Sequence, residues 1–188
     1  FQYPSGKTSA TGKYENDDPV GEWVYYYEDG TTSTKGQFVG GKKDGYWSSF
    51  NKNGSLKSEV TFDKGSGEYR EYYPDGKLRI KGQIVNGDHE GKWSYYAASG
   101  KLEGECDFAH GKGTYHGYYP SGTLQTKGQL ENELRVGTWE LYEQDGKLSG
   151  YYKPVYEDQA MANEITALIN KSKAPAPTTT KARKGFYY

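Results

Sequence analysis

Three histidines, one cysteine and 25 acidic residues are the groups in this 188-residue chain that could carry catalysis or hold a metal. His89 and His110 stand at turn-like links near glycines, and His116 sits inside a strand-like stretch beside Gly117. His110 and His116 could form a metal pair across a turn, but two imidazoles alone make a poor site, and the spacing predicts solvated rings. Cys106, being single, excludes an internal disulfide framework and any zinc site built on several thiolates. It falls six residues after a turn glycine, in a slot filled elsewhere by Val60 or by Gly36, Gly82 and Gly128, which marks it as a small inward-facing residue and not a nucleophile. Glu28, Asp29, Asp75 and Asp145 lie beside turn glycines, where carboxylates bond locally to the backbone. The remaining acids are scattered at one or two per repeat, so no acid/base pair converges. The glycine spacings do not follow a strand-to-helix phosphate loop. The expectation is a non-enzyme with no catalytic, cofactor or metal residues.

The frame that carries these groups is unusual. Val, Ile and Leu number only 20, against 26 Gly, 20 Tyr, 6 Phe and 4 Trp. Such low aliphatic content commonly signals disorder. Here the net charge of −1 and an aromatic share of 16% cancel that signal, because the apolar mass is carried by rings. Balanced charge argues against duplex nucleic acid as the main partner. No run of about 18 apolar residues is present, so no membrane-spanning helix is expected.

Seven turn glycines repeat along the chain: Gly6, Gly30, Gly54, Gly76, Gly100, Gly122 and Gly146. Units of 24 and 22 residues alternate after the first copy, giving a 46-residue superperiod. The tetrapeptide Thr34-Lys35-Gly36-Gln37 returns at that interval as Ile80-Lys81-Gly82-Gln83 and Thr126-Lys127-Gly128-Gln129. Turn sequences such as Tyr73-Pro74-Asp75-Gly76 read as type I turns closed by a glycine bulge, the three-residue hairpin loop. An aromatic stands four residues before the turn glycine (Tyr26, Phe50, Tyr72, Tyr96, Tyr118, Tyr142) and Leu two after it (Leu56, Leu78, Leu102, Leu124, Leu148), facing each other across the hairpin. Apolar residues eight after it (Tyr14, Phe38, Phe62, Ile84, Phe108, Leu130) join them on the face expected to be buried. A second column, Trp23, Trp47, Tyr69, Trp93, Tyr115 and Trp139, lies three residues from the first. Either it stripes the opposite face or a bulge brings the columns together.

The fold expected for residues 1–153 is all-β: an elongated single-layer antiparallel array of about seven stacked β-hairpins. Beyond it, Met161, Ile165, Leu168 and Ile169 fall on one face of a predicted C-terminal α-helix within residues 154–171, a cap or a docking element. Residues 172–188 read as a Pro/Thr-rich linker and an extended tail ending in basic and aromatic residues.

The pattern Gly-x-Trp-x-x-Tyr-Tyr-x-x-Gly-x-Leu is carried by Gly91, Trp93, Tyr95, Tyr96, Gly100 and Leu102. It recurs through Gly21, Trp23, Tyr26 and Gly30, and through Gly137, Trp139, Tyr142, Gly146 and Leu148. These units resemble MORN repeats of the bacterial variant type, found in proteins often labelled YwqK-family antitoxins. The resemblance implies a hairpin array used as a scaffold or recognition surface, without catalysis. Tyr69 and Tyr115 depart from the pattern by standing where Trp is expected.

These features lead to an expected non-catalytic protein–protein interaction scaffold, an accessory subunit of a bacterial cell-envelope complex. The chain starts at Phe1 and not Met, which is read as removal of a secretory signal, placing the protein in the periplasm, outer membrane or cell surface. A cytoplasmic antitoxin-like neutraliser and a glycan- or cell-wall-binding module are the alternatives. Candidate partner-binding residues are Trp23, Trp47, Trp93 and Trp139, the turn-flanking Tyr27, Tyr73 and Tyr119, and Arg183, Phe186, Tyr187 and Tyr188 in the tail.

Overall fold

A computed structural model describes residues 1–131 and 134–154. The predicted C-terminal helix and tail lie outside these described residues. The described chain is all-β and antiparallel, and it divides into two compact units. The first holds β1 (Ala10–Glu15), β2 (Asp18–Tyr26), β3 (Thr32–Val39), β4 (Lys42–Phe50), β5 (Leu56–Asp63) and β6 (Ser66–Tyr72). The second holds β7 (Leu78–Val85), β8 (Asp88–Tyr96), β9 (Leu102–Ala109), β10 (Lys112–Tyr118), β11 (Leu124–Glu131), β12 (Leu134–Tyr142) and β13 (Leu148–Tyr152). Within each unit, strand order is chain order. Among the described residues thirteen strands stand where about fourteen were expected, and the first arm of the first hairpin is reduced to a single bridge between Gln2 and Thr8.

Two kinds of turn alternate. At the repeat glycines the amide of Gly30 bonds to the carbonyl of Tyr27 and the Tyr27 amide to Thr31, and Gly30 takes φ +90° as the expected bulge requires. The other described links are two-residue turns with positive φ at both positions, such as Asn86-Gly87 and His110-Gly111. Such turns match the right-handed twist of the strands they join.

The interior is a single side of the sheet, and it is built on indole against glycine. Gly12, Gly36, Gly82 and Gly128 each lie beneath an indole of the following strand. An added Cβ at Gly36 or Gly82 would sit 2.1 Å from Trp47 or Trp93. The close approach comes from a recurrent bulge. Lys35 pairs with Ser48 but Gln37 with Asp44, so Gly36 alone faces Gly45-Tyr46-Trp47. The same shift recurs at Gly82 and Gly128. The indole nitrogens of Trp47 and Trp93 donate to the carbonyls of Gln37 and Gln83, at 3.0 and 3.1 Å.

From above, the indoles of Trp47, Trp93 and Trp139 are each covered by the side chain four residues earlier. His89 stacks on Trp93 with ring centroids 3.6 Å apart. Lys43 and Arg135 lie over Trp47 and Trp139, each 4.5 Å from the ring centroid. Pro19 holds the equivalent sequence position before Trp23. Burial pushes the Lys43 amine below its ordinary range. Phe38 and Phe108 pack edge-on against Trp47 and Trp93, and Val60, Phe62, Cys106 and Leu130 complete the buried set.

This corrects the expected buried face. The residues eight after the turn glycine do face inward, but with the Trp column and not with the aromatic-Leu pairs. A second bulge beside each hairpin turn is the reason: Ser49 pairs with Ser58 but Phe50 with Leu56, so one extra residue shifts the side-chain alternation. The pairs Phe50–Leu56, Tyr96–Leu102, Tyr118–Leu124 and Tyr142–Leu148 form as expected, on the opposite, half-open face.

If the indole-glycine contact sets stability, Gly36→Ala should destabilise by about 3 kcal/mol, because the covered ring cannot yield. Gly150→Ala, with nothing within 4 Å of the new Cβ, should change stability by less than about 1 kcal/mol. Equal effects of the two substitutions in urea titrations would contradict this.

Candidate interaction surface

The structure moves the functional question from one face to the other. Trp23, Trp47, Trp93 and Trp139 were candidates for an exposed partner-binding stripe. All four are at most 3% exposed and pack against a glycine of the preceding strand, so they do not form an exposed stripe. Tyr27 and Tyr119 are also tied into the frame. Their phenols donate to the carbonyls of Phe50 and Tyr142 in the next hairpin, both at 2.8 Å, as Tyr3 does to Tyr26. Tyr73 holds the same place in its repeat. Tyr3, Tyr27 and Tyr119 thereby rivet one hairpin to the next along the turn side, each within its own unit. Arg183, Phe186, Tyr187 and Tyr188 lie outside the described residues.

The opposite face carries rings and charges in register. In the first unit the cross-strand row is Lys35, Ser48, Glu59 and Arg70. Glu59 accepts hydrogen bonds from Tyr72 at 2.5 Å and Tyr46 at 2.7 Å. These phenols hold its carboxyl below the usual range, while the bond to Glu59 pushes Tyr46 up to about 12. Lys35 reaches over the Phe50 ring. Tyr46 is half exposed, so the cluster is fixed yet open. Ser48 beneath it is 2% exposed, and its hydroxyl has no partner.

In the second unit the row is Lys81, Ser94, Glu105, His116, Lys127, Glu140 and Tyr151. Glu105 pairs with Lys92 at 2.6 Å and accepts from Tyr118 at 2.8 Å, and these two partners lower its carboxyl. Tyr142 bonds Glu140 at 2.6 Å. Glu59 and Glu105 are one superperiod apart, as are Tyr72 and Tyr118, so the 46-residue interval was the signal that could have found them.

The histidines do not converge. His89 is a ring stacked on Trp93, His110 occupies a turn, and His116 lies in the cross-strand row. Cys106 is 1% exposed, and burial pushes its thiol up to about 12, as an inert inward-facing residue requires.

The model of the MORN repeat variant matches residues 19–39, 43–64, 66–86 and 90–110. Residues 19–110 carry four repeats of the MORN variant type. Each matched MORN segment begins at or near a strand that carries the indole or its tyrosine substitute, and runs through the next hairpin turn. A search of curated proteins found no match. Among solved structures, a mutant of S. aureus TarM in complex with fondaparinux, alpha-GlcNAc-glycerol and UDP is similar at 10% identity and TM-score 0.35. That match takes in 49% of this chain and 19% of TarM. A second TarM structure matches at 11% identity and TM-score 0.34, over 49% of this chain and 20% of that one. This chain therefore spans about a fifth of the length of those proteins.

The lowered Glu105 carboxyl fixes a pH dependence. Its contribution to stability is present above the unfolded carboxylate value, near about 4.3, and is lost as pH falls through the lower folded value. Glu105→Gln should therefore cost about 1 kcal/mol at pH 7, with the difference from wild type shrinking as the carboxyl is protonated in acid. A difference independent of pH, measured by urea unfolding, would refute this role.

Proposed function

We propose that this protein is a non-catalytic scaffold that binds a protein partner across the tyrosine-carboxylate face of its first unit. MORN repeats serve generally as protein- and membrane-binding modules, which suits an accessory subunit of a cell-envelope complex. The observation that carries the reading is the Tyr46–Glu59–Tyr72 cluster. Two phenols and a carboxylate are joined by hydrogen bonds on an open face, with Tyr46 half exposed. Tyrosine supplies broad contact area at low entropic cost, and fixed polar groups set orientation, which is how protein interfaces concentrate their energy.

Tyr46 and its cross-strand neighbour Thr61 are both exposed and lie outside the buried set. Tyr46→Ser combined with Thr61→Arg should leave folding intact and weaken a partner captured from envelope extracts by tenfold or more. Undiminished capture would refute the assignment of this face. Capture of polysaccharide in place of protein would refute the partner class.

A further inference from the structure

The carboxylate cluster of the first unit has a counterpart in the second, and the two differ in what meets the carboxylate. Lys35, Tyr46, Ser48, Glu59 and Tyr72 stand one superperiod before Lys81, Lys92, Ser94, Glu105 and Tyr118. Tyr72 and Tyr118 each donate to Oε1 of their glutamate. At Oε2, Glu105 receives the ammonium of Lys92 at 2.6 Å, whereas Glu59 receives the phenol of Tyr46 at 2.7 Å. The second unit neutralises its carboxylate from within the repeat. The first unit leaves a negative charge bonded to two neutral rings.

The cations around Glu59 are engaged elsewhere. Arg70, its cross-strand neighbour, forms an ion pair with Glu68, and Lys35 lies over the Phe50 ring. Ser48, directly across from Glu59 on β4, is 2% exposed, and its hydroxyl has no partner among the described residues. A carboxylate offers about four acceptor sites, of which the phenols use two, and the Ser48 oxygen beside it adds another. These acceptors suit an ammonium, whose three donors need no planar fork. A guanidinium pairs best with both carboxylate oxygens at once, and here each already holds a phenol. Lys35 does not exclude such a guest, because Lys81 holds the same place in the repeat where Lys92 is seated.

We propose that Glu59 receives a lysine side chain of the protein partner, its ammonium taking the place that Lys92 takes at Glu105. The inference rests on the partner reading above and names the chemistry that the partner presents to this face.

The probe is N-acetyl-lysine methylamide, with the same compound acetylated at Nζ as its neutral control. The carboxyl carbon of Glu59 and the ring of Tyr46 should show a saturable chemical-shift change with the lysine probe, and the neutral control should bind at least about fivefold more weakly. Tyr46→Lys builds the ammonium into the chain as the second unit does, so it should abolish the response while the sheet amides keep their exchange protection. Glu59→Gln should abolish it as well. No saturable response, equal responses to the two compounds, tighter binding of the arginine analogue, or a response that survives Tyr46→Lys would each overturn the proposal. Tyr46→Lys should also lower partner capture as far as the double substitution at Tyr46 and Thr61 does. Capture that falls with the double substitution but not with Tyr46→Lys would overturn the lysine assignment and leave the assignment of the face standing.

Discussion

Everything in this fold depends on an indole resting on bare backbone. A single-layer sheet has no second layer to bury its side chains, so its interior must be made within the thickness of one side chain. Removing the Cβ at Gly36, Gly82 and Gly128 lets an indole from the next strand lie against the chain. A covering residue four positions earlier closes the other side. Each sandwich joins two strands, buries an aromatic surface larger than any aliphatic residue offers, and gives the indole nitrogen a backbone acceptor. That explains how a chain with so few aliphatic residues holds an ordered structure.

The contact also dictates register. Three residues must face one glycine for the indole to reach it, so a bulge is built into each long repeat. A second bulge at each hairpin turn restores the count and sends the Tyr-Leu pairs to the other face. The molecule thereby separates its tasks. One face is closed and structural, the other half open, with tyrosines, carboxylates and cations in rows. Tyr3, Tyr27 and Tyr119, which flank turns, add a third task, each tying its hairpin to the next through a phenol and a carbonyl.

Much of this was legible in the amino-acid sequence, because turn chemistry is local. The Pro-Asp-Gly turns, the strand count, the superperiod and the inward position of Cys106 all follow from residues close together in the chain. The buried face was not legible, because alternation counts residues and a bulge changes the count without changing their number. Nor were the covering residues: Lys43, His89 and Arg135 share a position but not one chemistry. The Trp column was visible, but whether it met solvent depended on glycines one strand away. Tyr27 and Tyr119 stood out for the same reason that any recurrent tyrosine does, and their use as rivets appears only once neighbouring hairpins are in place.

The indole-glycine contact is tested most directly by the proton chemical shifts of the glycines themselves. The α-proton on the Cβ side of Gly36, Gly82 and Gly128 points into the face of an indole, so its resonance should lie far upfield of ordinary strand glycine. Gly150, with no ring above it, serves as the internal reference. Ordinary shifts at all three glycines, indistinguishable from Gly150, would contradict the account of how this sheet is held together.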